Sequence, residues 1–195
     1  MSRAVDRRVL LTGFCSAASL CLAGTAFAQT SRHPAVVYMQ KVANDLFRAQ
    51  KDGTIPAYLQ VINRHADVPS IALYALGRYK ADLPKSDYQR YYRGVAIFMS
   101  RYFADQTRHF RVAKAEFNEE PSSDGSDTLV RTKVTLMSGS AYNVVFRLSR
   151  NGSGYKVSDV TVLGFSLSYL QRGIFLSFLS KKNGDLGQLI AALNR

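Results

Sequence analysis

The sequence has no tryptophan and very little cysteine. Only two cysteines occur in 195 residues, and both, Cys15 and Cys21, lie within the first 28 residues. We expect that segment to be removed, for reasons given below. The remaining chain then has no thiol, no disulfide and no cysteine-based metal site.

Motifs of catalysis and cofactor binding are also missing. There is no phosphate-binding glycine loop. Ser166 lies in Gly164-Phe165-Ser166-Leu167-Ser168, which is not the Gly-x-Ser-x-Gly of a nucleophile elbow, so we expect it to cap a helix instead. A zinc site needs clustered ligands, but the three histidines are far apart, each at a predicted surface or helix-end position: His33, His65 and His109. We therefore expect no metal, no cofactor and no enzyme.

Asp159 is the one candidate for acid–base chemistry. It interrupts a predicted strand, on the same side as Tyr155 and Val157 if that strand is regular. A carboxylate on an inner sheet face could act as a general base. It could equally pair with Arg172 or point to solvent at a bulge, and a structural role is the interpretation that we favour.

The N-terminal segment has the composition of an export signal. Arg3, Arg7 and Arg8 give a positive start, Val9–Ala23 is apolar, and Ala26-Phe27-Ala28 fits a small-x-small cleavage site. Neither cysteine follows a convincing lipobox, so a lipid anchor is not expected. The pattern predicts cleavage after Ala28 and an exported, periplasmic product; the export route, general secretory or twin-arginine, stays open.

Residues 29–195 are predicted to form one domain, since their number suits a single core. The whole chain has a formal net charge of +12. A basic balance often indicates nucleic acid, but export excludes that partner. Anionic membrane surfaces or acidic proteins are the expected partners, and charge kept for solubility is the alternative.

Hydrophobic periodicity predicts helices, then strands, then helices again. Apolar residues recur at steps of three and four in the N-terminal half, alternate in the middle, and return to helical spacing near the C-terminus. Helices are predicted over 34–51, 56–65, 67–76, 86–107, 167–182 and 186–193, with Asp67, Ser86 and Asp185 as caps, and strands over 110–117, 130–136, 142–149 and 155–163. The loop 118–127 is expected to be exposed and mobile. The fold class is thus α+β: a twisted antiparallel sheet of about four strands with helices over its apolar face.

Several short motifs stand in an order that matches a known family. They are Leu76-Gly77-Arg78-Tyr79, Gln89-Arg90, Tyr155-Lys156-Val157-Ser158-Asp159-Val160, Gly164-Phe165-Ser166-Leu167, Gln171-Arg172 and Gly184-Asp185. This set resembles the MlaC/toluene-tolerance family, the periplasmic auxiliary components of lipid-transport ABC systems. Tyr155 stands where that family usually has tryptophan, and Gln171-Arg172 is closer to the hopanoid-associated HpnM branch.

The resemblance implies an NTF2-like arrangement in which acyl chains enter an apolar cavity between sheet and helices. It implies a soluble carrier that shuttles a phospholipid or a hopanoid between the inner and outer membranes. The implied partners are an inner-membrane MCE-domain ABC transporter complex, an outer-membrane lipoprotein and, transiently, a membrane surface, with no nucleic acid.

Residues for such a cavity come from the predicted inner sheet face, the aromatic helix and the segments next to them. The expected wall residues are Leu73, Leu76, Tyr91, Phe98, Met99, Val134, Val144, Phe146, Phe165 and Ile174. The cations expected to meet a headgroup or a partner are Arg78, Arg90 and Arg172. Two alternatives stay open: an NTF2-like enzyme that uses Asp159 as its acid or base, and a periplasmic adaptor without a ligand.

Overall fold

A computed structural model describes residues 32–152 and 154–195. The predicted export signal and its cleavage site lie outside the described residues. Six helices and six strands follow one another: α1 Pro34–Asp52, α2 Ile55–His65, α3 Val68–Leu76, α4 Tyr88–His109, β1 Val112–Phe117, β2 Ser122–Asp124, β3 Asp127–Leu136, β4 Ala141–Asn151, β5 Gly154–Val162, β6 Phe165–Ser166, α5 Leu167–Lys181 and α6 Leu186–Leu193. The α+β fold class is confirmed.

Most helices begin where the sequence supplies a cap. The side chains of Asp67, Ser166 and Asp185 each accept a bond from a backbone N–H of the first turn that follows, as predicted. Ser86 does not cap α4, contrary to expectation. It lies within a short 3-10 turn, Lys85–Asp87, and α4 begins after that turn without a side-chain cap.

The sheet has six strands rather than about four, in the order β1-β3-β4-β5-β6, with β2 also paired to β3. All pairs are antiparallel. The two extra strands are short and arise from tight turns at Gly125 and Gly164, both at positive φ. β2 lies inside the segment 118–127, which was expected to be a mobile loop. Its serines and aspartates give no strand pattern in the sequence, and β2 forms by pairing with β3.

The apolar core is divided into separate clusters. The largest is built from helices α2 to α6 and the Leu83 segment, around Leu76, Tyr91 and Phe175. A second joins α1 to the sheet. A third, smaller cluster joins α1, α2 and α4. Most domains have one contiguous core with minor satellite clusters. In this chain the helical layer and the sheet layer have different main clusters.

Within residues 32–152 and 154–195, no helix combines the length and the hydropathy that a bilayer crossing requires.

Candidate functional site: the inner face of the sheet

The face of the sheet that α1 covers, here called the inner face, is almost wholly apolar. Directly paired residues of an antiparallel sheet point to the same side, so the register defines its rows. One row crosses five strands, and Val144 lies at its centre. Its members are Phe117, Thr132, Val144, Val162 and Phe165. The rows on either side continue the same apolar surface with Val130, Phe146 and Val160, and with Ala115, Val134 and Tyr142.

Helix α1 covers only part of this face. Met39 and Val42 pack on Val130, Leu148 and Tyr155, toward the end of the sheet where β4 turns into β5. Val144 and Leu136, farther along the inner face, are buried without belonging to this cluster.

The main cluster of the helical layer is built from helices and the Leu83 segment, and Phe103 and Leu46 link it to the sheet through the small α1–α2–α4 cluster. Among the described residues, the α2–α6 cluster includes no strand residue, either fully or partly buried. The two layers meet along β5, where the Asp67 backbone N–H donates to Val157 O at 2.8 Å and the Ser168 N–H donates to Asp159 Oδ1 at 3.0 Å. Sheet and helices are thus two apolar layers that meet along β5 and through α1, whose Leu46 packs on both the sheet cluster and the α1–α2–α4 cluster.

The inner row ends at an exposed edge. Phe165, in the edge strand β6, is 66% exposed although it shares a row with the buried Val144. Next to it in sequence, α5 leaves Leu170 and Ile174 exposed as well, at helical spacing. The edge formed by Phe165, Leu170 and Ile174 is here called the apolar rim.

The ten expected wall residues fall in three places. Five belong to the helical cluster, three lie on the inner face and two lie on the apolar rim. They are, in that order, Leu73, Leu76, Tyr91, Phe98 and Met99; Val134, Val144 and Phe146; and Phe165 and Ile174. The sequence pattern alone did not separate these groups, because a core side chain and a pocket side chain have the same apolar signature.

Tyr91 illustrates how firmly the first group is held. Its ring is fully buried, and its hydroxyl donates to the carbonyl oxygen of Ala72 at 2.8 Å. Burial raises the pKa of this phenol far above its ordinary range. Tyr91 therefore ties α4 to α3 inside the helical layer.

Thr132 is the polar exception on the inner face. It is 3% exposed, and its hydroxyl has no hydrogen-bond partner among the described residues. Val144 lies directly opposite on β4. A buried hydroxyl without a partner is costly, so Thr132 is an unsatisfied polar position on an otherwise apolar face.

Of the three expected headgroup cations, Arg172 and Arg78 lie on adjoining segments, since the Arg172 guanidinium packs against Gly77, whereas Arg90 lies elsewhere on α4. Arg172 packs over the Tyr74 ring at 5.0 Å and donates to the Tyr74 carbonyl oxygen at the end of α3. Arg78 lies over its neighbour Tyr79. Arg90 lines a cleft on the far side of α4.

Two clefts lie along α4, away from the inner face. One, of about 470 Å³, is lined by Gln89, Arg90, Arg93, Ile97 and Asn194. The other, of about 600 Å³, has mixed polar and apolar walls from α2, α3, α4, Asn151 and Lys156. Charged and amide side chains contribute to both linings, which suits a hydrocarbon chain less well than the inner face does.

Asp159 does not lie on the inner face. The pairing shifts between Arg147 and Leu148, so Ser158 is an extra residue in β5 and the following side chains change sides. Asp159 therefore stands opposite Arg147 on the outer face, not beside Tyr155. Its carboxylate accepts the Ser168 N–H in the first turn of α5, so the structural interpretation is supported, as a helix cap rather than a partner of Arg172.

A buried ionic cluster was missed from the sequence. His65 ends α2, as expected of a helix-end position, but its imidazole is buried and bonds Asp45 of α1. Arg64 and Arg48 also contact the Asp45 carboxylate. Within residues 32–152 and 154–195, no group of three or more histidine, cysteine or acidic side chains could hold a metal ion.

The chain matches a protein family and is similar in fold to a solved structure. The sequence matches the family described as MlaC protein over residues 38–195. The fold is similar to that of a phospholipid-binding protein from Ralstonia solanacearum, solved in complex with a phospholipid, with a TM-score of 0.68 and 20% sequence identity. That match covers 83% of this chain and 96% of the other. Among curated proteins, none matches the chain significantly.

Proposed function

The chain belongs to the MlaC protein family, and from that membership we propose that it is a periplasmic lipid carrier that holds hydrocarbon chains against the inner face of its sheet. The observation that carries the proposal is the division of the core. The inner face and the helical layer are both apolar, yet among the described residues they do not share one packed cluster. Lipid chains between them would complete the burial of both.

Two features support phospholipid as the first candidate cargo. A phospholipid is what the Ralstonia relative was found to hold. The unpartnered Thr132 hydroxyl suits a guest with a carbonyl near its apolar part. A hopanoid remains the second candidate, because Gln171-Arg172 resembles the hopanoid-associated branch.

Within this proposal the hydrocarbon contacts Val134, Val144 and Phe146 on the sheet and reaches solvent at the apolar rim. The five wall residues of the helical cluster form the opposing layer. The headgroup stays near the rim, and Arg172 is the expected headgroup cation that belongs to the same helix as that rim. Arg78 and Arg90 are left as contacts for partners.

The energetics explain why a carrier is useful and why it needs no catalysis. Burying one methylene gains about 0.8 kcal/mol. Moving two acyl chains with about 30 methylenes from a bilayer into water therefore costs roughly 24 kcal/mol. If the protein buries most of the same methylenes, the free energy of moving the lipid from the bilayer to the protein is close to zero. Direction would then come from partners, which we propose to be an inner-membrane MCE-domain ABC transporter complex and an outer-membrane lipoprotein.

Mass spectrometry of solvent extracts from gently purified protein tests the proposal. We expect close to stoichiometric lipid, and its mass distinguishes phospholipid from hopanoid. Repeated empty extracts would instead favour an adaptor with a packed core.

A matched pair of variants locates the lipid. Val144 and Val145 are neighbours in β4 but point to opposite faces. We expect V144F to lower the bound lipid per protein about tenfold, since overpacking a filled site is unfavourable. V145F, on the outer face, should keep the lipid. Equal lipid content in the two folded variants would place the lipid elsewhere.

A further inference from the structure

The sheet has two chemically different ends. β1 begins, β3 ends, β4 begins and β5 ends at the same end, because Val112 pairs with Leu136, Thr135 with Ala141, and Val144 with Val162. At this end, each chain segment that leaves the sheet exposes a large apolar side chain to solvent. These side chains are 51–66% exposed: Phe110, Met137, Leu163 and Phe165. We call this the apolar end.

The segments that connect the strands at this end carry cations only, although Asp52 of α1, two residues after the Gln50 side chain that bonds Val112, and Asp105 of α4 lie near them. The segments 106–113, 136–141 and 160–184 contain no aspartate or glutamate. Arg108 and Arg111 flank Phe110 and are exposed. Exposed apolar residues with cations beside them are the composition of a surface that lies in the headgroup region of a bilayer.

The opposite end of the sheet is polar and carries charges of both signs, with Glu119 paired to Arg32 and Asp124 paired to Arg147. It carries Glu119, Glu120, Asp124 and the Asn151-Gly152 turn, all exposed. Its exposed residues therefore include carboxylates that an anionic surface would repel. The contrast between the two ends would determine which end of the protein faces a membrane surface.

Leu163 occupies its position under strain. Its φ is +52°, followed by Gly164 at +86°, so the two residues form the tip of the β5–β6 hairpin with left-handed backbone. Asparagine or glycine adopts this conformation readily, whereas leucine does so rarely. Yet its side chain is 65% exposed and gains little burial in return. A strained, exposed leucine at a hairpin tip is more readily explained by what it contacts outside the chain.

We propose that the apolar end docks on the surface of a bilayer that contains anionic lipid. Phe110, Met137 and Leu163 enter the boundary of the acyl region, and Arg108 and Arg111 contact phosphates. The tips are spread over about 20 Å, since five strands lie about 4.8 Å apart, which suits a broad, deformable surface better than one protein pocket. The apolar rim begins at the same end, so a lipid could pass from bilayer to inner face without crossing water.

The docking proposal rests on the proposed lipid-binding function for its purpose, but vesicle binding can be measured separately. Sedimentation of the protein with phosphatidylcholine vesicles, with and without phosphatidylglycerol, is the first test. We expect binding that increases with phosphatidylglycerol and weakens at high salt. Binding to neither kind of vesicle would overturn the proposal and leave a protein partner as the occupant of this end.

Three variants assign the binding to the apolar end. L163N replaces leucine by a residue that accepts left-handed backbone, so it should fold at least as well as the wild type. L163N and M137S are each expected to lower vesicle partitioning about tenfold, the order of one buried large apolar side chain. V37S is the matched control, because Val37 of α1 is 51% exposed and lies away from this end. Unchanged partitioning of both L163N and M137S would contradict the proposal.

The absence of tryptophan gives an independent readout. In M137W, the introduced indole should shift its emission to the blue when phosphatidylglycerol vesicles are added, whereas V37W should not respond. A blue shift only in V37W would mean that the opposite end of the protein faces the bilayer, and would contradict the proposal. Vesicle binding together with empty solvent extracts would support the docking surface and contradict the carrier function. Lipid in the extracts without vesicle binding would support the carrier function and contradict the docking surface.

Discussion

His65 Nε2 lies 2.8 Å from Asp45 Oδ2, and both side chains are almost completely buried between α1 and α2. The hydrogen bond from His65 lowers the pKa of Asp45 below its ordinary value of 3.8, with help from Arg64 and Arg48 and against the effect of burial. Because α1 is the helix that covers the inner face, this pair fixes the position of that cover.

Removing the carboxylate should loosen α1. We expect D45A to lower the free energy of unfolding by about 2 kcal/mol, since it leaves the buried His65 ring without its partner. Urea denaturation followed by circular dichroism measures this. D105A, which removes an exposed carboxylate of α4, is the control and should change stability by less than about 0.5 kcal/mol.

The same pair predicts how stability depends on acid. Since the folded-state pKa of Asp45 is lowered, the stabilisation is fully present above the ordinary pKa of 3.8 and is lost as the pH falls through the folded-state value. The wild type should therefore lose stability below about pH 4 more steeply than D45A. Parallel pH profiles for the two proteins would show that Asp45 does not carry the effect.

Gly77 is packed against the Arg172 side chain. A Cβ built on Gly77 would lie 3.1 Å from the guanidinium, and φ is +54°. We expect G77A to destabilise the protein by about 1–3 kcal/mol through backbone strain and displacement of Arg172. The matched variant is G173A, where helix α5 leaves open space and alanine should stabilise by about 0.5–1 kcal/mol. Thermal unfolding of the two variants should thus change in opposite directions, and a common direction would refute this explanation.

Asp159 separates a carrier from an enzyme. D159A removes the oxygen that accepts the Ser168 N–H, so we expect a loss of about 1 kcal/mol in stability from the weakened start of α5. Bound lipid per folded protein should stay the same, because Asp159 lies on the outer face. A variant of normal stability that lost a measurable turnover would support the enzyme alternative instead.

Local signals in the sequence predicted the elements well. Asp67, Ser166 and Asp185 each stand at the start of an apolar helical pattern and cap the helix that follows. The alternation around Thr132 and Val144 correctly predicted one apolar sheet face.

Features that depend on a distant partner could not be predicted. The bulge at Ser158 places Asp159 on the outer face; the sequence offered a bulge only as one alternative, because the shift is visible only in the pairing of β5 with β4. Asp45 and His65 are 20 residues apart and meet only when α1 and α2 pack. Nor could the sequence separate the helical core around Tyr91 from the inner face, since burial in protein and burial under lipid select the same side chains.

Contact between an acyl chain and the inner row is the most direct test of the whole account. F165W places the protein's only tryptophan at the exposed end of the row that holds Val144, and V37W serves as the control. Each variant would be loaded with phospholipid brominated on its acyl chains and freed from vesicles by gel filtration. The account predicts strong quenching of the indole in F165W and none in V37W. Lipid that stays bound but leaves F165W unquenched would contradict it.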